Sequence, residues 1–197
     1  MEFIKKYDNN TDLVNAGINK QIIDKASIEF IRSVLLNRGF KVGRQCAKDP
    51  KTFMYIDYLY SIFPNSKFIY VVRDGRAAAY SHIVNEFKTK FKYNSRLYSK
   101  YLLKWYEFNT FVSEVCDRIG PKNCITIKYE SLVLEPEKKL RKIMKFLGET
   151  WNKSLLEHHN HIGNNILLSK TEWSSHQIVT IKLKECKKLC LLIFFLR

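Results

Sequence analysis

Hydrophobic positions along the chain alternate between the spacing of helices and that of buried strands. KFIYVVR and CITIKYE are rich in β-branched and aromatic residues, which is typical of strands buried on both faces. Apolar residues at helical spacing predict helices over 20–38, 52–63, 76–87 and 95–119, and a last helix from Glu135-Pro136-Glu137 to Gly148. Strands joined by long helical crossovers predict an α/β fold with a parallel sheet.

The stretch FIYVVRDGRAAAYSH, residues 68–82, joins the first strand to a helix through charged residues. Ligands of open parallel sheets bind beyond the carboxyl ends of the strands, and Arg73 stands at such an end. Asp74 is placed to cap the helix, and Gly75 permits a tight turn. The helix N-terminus, the guanidinium and the Ser81 hydroxyl together predict an anion site. The alternative is an ordinary ion pair between Arg73 and Asp74 at the strand end.

The charge of the chain favours an anionic partner. Lys and Arg number 34 against 19 Asp and Glu, which gives a net charge of +15 and a pI near 9.6. Nucleic acid is not the expected partner, because no helix-turn-helix, zinc or RNP pattern occurs. The first residues lack the apolar run of a signal peptide, and LCLLIFFLR is shorter than the ~20 residues that span a bilayer.

Several motifs resemble, in order, those of one enzyme family. PNSKFIYVVRDGRAAAYSHI is similar to the phosphate-binding strand–turn–helix of sulfotransferases, and specifically of the protein-tyrosine sulfotransferases. The likeness continues through CAKDP, CDRIGPKNCITIKYESLVLEPEKKLRKIMKFLG, WNKSLLEHH and LLSKTEWSSHQIV. It implies a sulfotransferase fold of the P-loop type, with a parallel sheet flanked by helices. The resemblance places a partial sulfotransferase domain at 1–179 and leaves 180–197 as a divergent basic and apolar tail.

The resemblance also implies a reaction and a setting. Enzymes of this family move a sulfuryl group from 3′-phosphoadenosine 5′-phosphosulfate to tyrosine hydroxyls in acidic peptides, in the Golgi lumen. The expected partners are therefore acidic tyrosine-containing proteins, with a homodimer as a further possibility and no metal. The alternative function is a basic module that binds a nucleotide or an acidic peptide without catalysis.

Five residues of this chain match functional positions of the family. Arg73 and Ser81 would hold the 3′-phosphate, and Tyr129 would contact the nucleotide. Lys48 and Ser174 would stabilise the negative charge that develops when the sulfuryl group is transferred. The alternatives are a solvated surface lysine at 48 and a helix cap at Ser174.

Other positions depart from the family. Neither its phosphosulfate loop, of the type P-R-S-G-T-T, nor the catalytic glutamate that follows that loop has a counterpart in this sequence. Asn85 stands where the family has a basic residue, and Trp173 and His176 stand where the family tends to have Arg and Asp. We therefore expect a sheet without the family's first strand, and an inactive fragment.

The five cysteines are interpreted through the same resemblance. Cys116 and Cys124 match a family disulfide, which suits an oxidising lumen. Cys46 matches a family cysteine whose partner has no counterpart here, so it is expected to be unpaired. Two weak patterns, Cys186 with Cys190 and the HHNH string, are the only hints of a metal site, and neither is favoured.

Overall fold

The computed structural model describes residues 12, 15–36, 45–48, 50–87, 94–161 and 191–196. Its helices are α1 (Lys20–Leu36), α2 (Ile56–Ile62), α3 (Gly75–Phe87), α4 (Ser95–Ile119), α5 (Tyr129–Leu134) and α6 (Pro136–Leu147). Its strands are β1 (Gln45–Lys48), β2 (Lys67–Val72), β3 (Cys124–Lys128) and β4 (Leu191–Leu196). Two 3₁₀ helices, Pro50–Tyr55 and Lys153–His161, complete the described elements.

The four strands form one sheet in the order β1-β4-β2-β3. β2 and β3 are parallel, whereas β4 runs antiparallel to both β1 and β2. Since β1 and β2 both oppose β4, they run parallel to each other. The carboxyl ends of β2 and β3 are level, whereas β1 ends level with Ile69, in the middle of β2. The α/β class predicted from the sequence is confirmed. The sequence pattern predicted neither β1 nor the central antiparallel strand β4, which lies in the apolar tail.

β2 is buried on both faces, which explains its unbroken apolar sequence. Phe68 and Tyr70 pack on one face against the buried residues of α2 and α4, Ile56, Val112, Val115, Cys116 and Ile119. Ile69 and Val71 face the other side, where they pack with Ile127 and Leu147. Alternate residues of a strand point to opposite faces, so helices on both sides bury the whole strand.

The buried hydroxyl of Tyr70 is satisfied by α4. It donates a hydrogen bond to Asn109 Oδ1, and Asn109 Nδ2 donates to the carbonyl oxygen of Trp105 at 2.6 Å. Because a buried polar group without a partner is costly, this chain of bonds fixes the rotation of α4 against the sheet.

A disulfide joins the end of α4 to the start of β3. Cys116 and Cys124 are bonded, with their Cα atoms 5.3 Å apart, and both lie in the core. The turn between them begins at Gly120, whose φ of 82° favours glycine. The pairing expected from the family is confirmed. The side chain of Cys46 lies outside the described residues, as do Cys186 and Cys190.

Most predicted elements are present, with two differences at their ends. The helix predicted over 52–63 is divided into the first 3₁₀ helix and α2. β3 stops at Lys128, so Tyr129 begins α5 instead of ending the strand. The predicted domain boundary at residue 179 lies outside the described residues. Within the described ranges, no helix is long and apolar enough to cross a membrane.

Loss of the disulfide should weaken the protein without changing its fold. A bridge that closes a loop of this length stabilises by about 2–3 kcal/mol, mainly by restricting the unfolded chain. We expect the double variant Cys116→Ser, Cys124→Ser to lose this amount of unfolding free energy in urea titrations, while its circular dichroism is retained. Reduction of the wild type is the matched control. Peptide mapping without reduction that finds either cysteine bonded to Cys46 would contradict the structure.

Candidate functional site

The site is built where β2 and β3 end side by side. Val72 and Lys128 are the last paired residues of the two strands, so Arg73 and Tyr129 follow at the same level. The guanidinium carbon of Arg73 lies 5.5 Å from the centre of the Tyr129 ring. A cation over an aromatic face is attracted by the ring quadrupole. The structure thus brings together two of the residues that the resemblance assigns to the nucleotide.

Asp74 does not form the strand-end ion pair that was the alternative for Arg73. Its carboxylate accepts bonds from the Arg76 backbone N–H at 2.8 Å and from the Arg76 guanidinium at 3.1 and 2.7 Å. These bonds hold the pKa of Asp74 down at about 2. Among the described residues, no carboxylate lies within ion-pair distance of Arg73. Arg76 therefore neutralises Asp74, and the charge of Arg73 remains available to a ligand.

Asp74 also caps α3, as the sequence predicted. Because its side chain accepts the Arg76 N–H, one of the free N–H groups expected at the start of this helix is already engaged. The electrostatic attraction for an anion then rests on the Arg73 side chain more than on the helix terminus.

Glu130 ties the two loops together, and the sequence did not single it out. Its Oε1 accepts a hydrogen bond from the backbone N–H of Asp74 at 2.9 Å. Glu130 follows Tyr129 in the first turn of α5, so two consecutive residues contact the loop after β2. The signal in the sequence is the pair Tyr-Glu directly after a buried strand, which the pattern alone does not connect to Asp74.

Gly75 has a different role from the tight turn that the sequence predicted. It is the first residue of α3 and is not among the described glycines with positive φ, namely Gly17, Gly120 and Gly148. A Cβ atom at Gly75 would lie 2.6 Å from the Trp105 ring and 3.0 Å from Leu102. Glycine is required because α4 passes this close to the start of α3.

The other predicted site residues are placed less completely. Ser81 lies on α3 and is 8% exposed. Lys48 ends β1 opposite Ile193 of β4, which in turn pairs with Ile69 of β2. Its backbone is thus level with a residue four positions before Arg73. The side chain of Lys48, and Ser174 entirely, lie outside the described residues.

The close packing at Gly75 predicts a measurable cost for a single methyl group. Gly75→Ala should reduce the free energy of unfolding by about 1–3 kcal/mol, because an added methyl in a packed site forces its neighbours to shift. Chemical denaturation measures this. In a Trp105→Ala background, where the ring is gone, the same substitution should cost much less. Equal costs in the two backgrounds would show that Trp105 is not the obstacle.

The ion pair at Asp74 predicts a pH dependence. A carboxyl whose pKa lies below its ordinary value of 3.8 stabilises the fold above that pH, and the contribution is lost as the pH falls through about 2. In Arg76→Ala the pKa of Asp74 should rise towards 3.8, as followed by carboxyl carbon NMR. Arg118→Ala, which removes an arginine at the far end of α4, is the control and should leave it unchanged. A pKa that stays near 2 in Arg76→Ala would contradict the role of the ion pair.

Comparison with known proteins agrees with the motifs and the fold. Residues 5–153 match the family model described as Sulfotransferase family. The chain is 36% identical over 179 residues to the protein-tyrosine sulfotransferase of Drosophila melanogaster, covering 90% of this chain and 36% of that protein. It is 38% identical over 169 residues to protein-tyrosine sulfotransferase 2 of Gallus gallus, covering 85% of this chain and 45% of that one.

A third relative gives the same result. Protein-tyrosine sulfotransferase A of Caenorhabditis elegans is 35% identical over 167 residues, which cover 85% of this chain and 44% of the relative. The chain therefore spans less than half the length of each of these three relatives. The family predicted from the motifs is confirmed: on its match to the family model and its protein-tyrosine sulfotransferase relatives, the chain belongs to the sulfotransferase family.

Proposed function

We propose that this chain binds the nucleotide of 3′-phosphoadenosine 5′-phosphosulfate as a protein-tyrosine sulfotransferase does. Enzymes of that kind transfer the sulfuryl group to tyrosine hydroxyls in proteins, a step for which this sequence holds no counterpart of the phosphosulfate loop or the catalytic glutamate. The observation that carries the proposal is the Arg73 side chain held over Tyr129 at the joined ends of β2 and β3. The names of the relatives, which are protein-tyrosine sulfotransferases, support the choice of reaction.

The residues present fit a nucleotide phosphate. A guanidinium offers planar paired donors that match two phosphate oxygens, and stacking on Tyr129 restricts its orientation. Ser81 is the second ligand proposed for the 3′-phosphate. It lies six residues into α3, about 9 Å along the axis at 1.5 Å per residue. The net charge of +15 attracts anions over a longer range.

Lys48 and Ser174 are proposed to act on the sulfuryl group itself. The co-substrate supplies a sulfuryl group whose bond to phosphate breaks during transfer, leaving negative charge on the bridging oxygen. An ammonium and a hydroxyl aimed at that oxygen favour the transition state over the ground state. Lys48 is the last residue of β1, a strand parallel to β2, and its backbone is level with Ile69, so the proposal requires its side chain to extend along the sheet towards the end of β2.

The proposed substrates and setting follow from charge and covalent chemistry. Acidic residues around the accepting tyrosine complement the basic chain. The disulfide between Cys116 and Cys124 is compatible with an oxidising compartment, for which we propose the Golgi lumen. Assembly as a homodimer is part of the same proposal.

Isothermal titration calorimetry with adenosine 3′,5′-bisphosphate tests the nucleotide site. Arg73→Ala should weaken binding by about 10- to 100-fold, because a hydrogen bond to a charged group contributes ~1.5–3 kcal/mol. Arg118→Ala, which removes the same charge near the amino ends of the parallel strands, is the control and should bind like the wild type. Adenosine 5′-monophosphate, which lacks the 3′-phosphate, should bind both variants and the wild type equally weakly. Equal affinity of Arg73→Ala and the wild type for the bisphosphate would refute the assignment of Arg73.

A further inference from the structure

We propose that Glu130 is a positioning residue that holds Arg73 in place for the phosphate by accepting the backbone N–H of Asp74. The inference rests on the proposed nucleotide site and adds a residue to it. Glu130 Oε1 lies 2.9 Å from Asp74 N, and Tyr129, the preceding residue, carries the ring that the Arg73 guanidinium faces.

The need for such a residue follows from where the backbone pairing stops. Val72 and Lys128 form the last registered pair of β2 and β3, and at Tyr129 the second chain turns into α5. The pairing of β2 with β3 therefore holds the chain before Arg73, at Val72, but not after it. The hydrogen bond from Asp74 N–H to Glu130 continues the contact between the two segments past the last strand pair. The backbone is thus held by a pair before Arg73, at Val72, and by a bond after it, at Asp74.

Tyr129 and Glu130, which are adjacent in sequence, contact different parts of the loop after β2. Tyr129 contacts the Arg73 guanidinium, whereas Glu130 binds the backbone directly after it. The carboxylate of Asp74 is occupied by Arg76. Both acidic groups of the loop thus have defined partners, and neither is placed to compete with a phosphate for Arg73.

Charge alone predicts the opposite effect for Glu130. A carboxylate near an anion site repels the anion, so its removal should strengthen phosphate binding if charge were its only influence. A positioning role predicts weaker binding when the acceptor oxygen is lost. Glu130→Ala removes both charge and acceptor, whereas Glu130→Gln removes the charge and keeps an acceptor oxygen, so the two variants separate the two effects.

The first measurement uses the nucleotide-free chain and does not depend on the proposed function. Amide hydrogen exchange at Asp74, followed by NMR, should become about ten- to a hundredfold faster in Glu130→Ala, because one hydrogen bond to a carboxylate is lost. The Tyr129 ring current should shift the Arg73 Nε–H resonance of the wild type, and in Glu130→Ala this resonance should move towards the value of a free arginine. Glu130→Gln should restore both signals.

The second measurement is titration with adenosine 3′,5′-bisphosphate. We expect Glu130→Ala to bind about three- to tenfold more weakly than the wild type, and Glu130→Gln to bind as tightly or more tightly. Glu114→Ala, which removes an exposed carboxylate from α4, is the control for net charge and should not weaken binding. Circular dichroism of each variant excludes loss of the fold.

Two results would overturn the inference. They are a Glu130→Ala variant that binds the bisphosphate as tightly as the wild type, and a Glu130→Gln variant that is as weak as Glu130→Ala. If the wild type does not bind the bisphosphate, the proposed function fails. The amide exchange and the Arg73 resonance then still decide whether Glu130 positions this loop.

Discussion

The parallel pairing of β2 with β3 is the constraint on which the rest of the described structure depends. Five consecutive residues of each strand are in register, from Phe68 with Cys124 to Val72 with Lys128. β2 can take this central place because its side chains are apolar on both faces, so that helices pack on each side. The disulfide at Cys116 then anchors the start of β3 to the helix that covers it.

The site is a consequence of that register. Because β2 and β3 end level with each other, Arg73 and Tyr129 lie side by side. The residues that follow them, Asp74 and Glu130, are joined by a hydrogen bond. Four charged residues lie close together here, Arg73, Asp74 and Arg76 after β2 and Glu130 in the first turn of α5. Asp74 is neutralised by Arg76, Glu130 accepts a backbone N–H, and Arg73 lies over a ring.

The packing behind the loop adds rigidity. α4 passes so close to α3 that only glycine fits at position 75, and the same turn of α4 carries Trp105, whose carbonyl oxygen is bonded to Asn109. Asn109 in turn accepts a hydrogen bond from the hydroxyl of Tyr70, which belongs to β2. The start of α3 is therefore positioned against the same strand that ends at Arg73. A rigid scaffold behind a charged loop reduces the entropy lost when a ligand is bound.

Features of the fold that depend on neighbouring residues could be predicted from the sequence, whereas most contacts between distant residues could not. The two strands, the long helix α4 and the helix ending at Gly148 follow from hydrophobic periodicity and from glycine at a left-handed position. The capping role of Asp74 depends on residues close in sequence, so a short motif was sufficient to predict it. The anion site at Arg73 stays a prediction. The family, and with it the pairing of Cys116 with Cys124, came from several motifs in the same order.

The sequence by itself determined most of the helices, two of the four described strands, the fold class and the family, because each depends on local spacing or on whole motifs. Only the tertiary structure decided the contacts between distant segments. The central antiparallel position of β4, the approach of Trp105 to Gly75 and the bond from Asp74 to Glu130 all join residues far apart in the chain. Such contacts depend on how helices and strands pack in three dimensions, and hydrophobic periodicity along one chain does not specify which distant residues will meet.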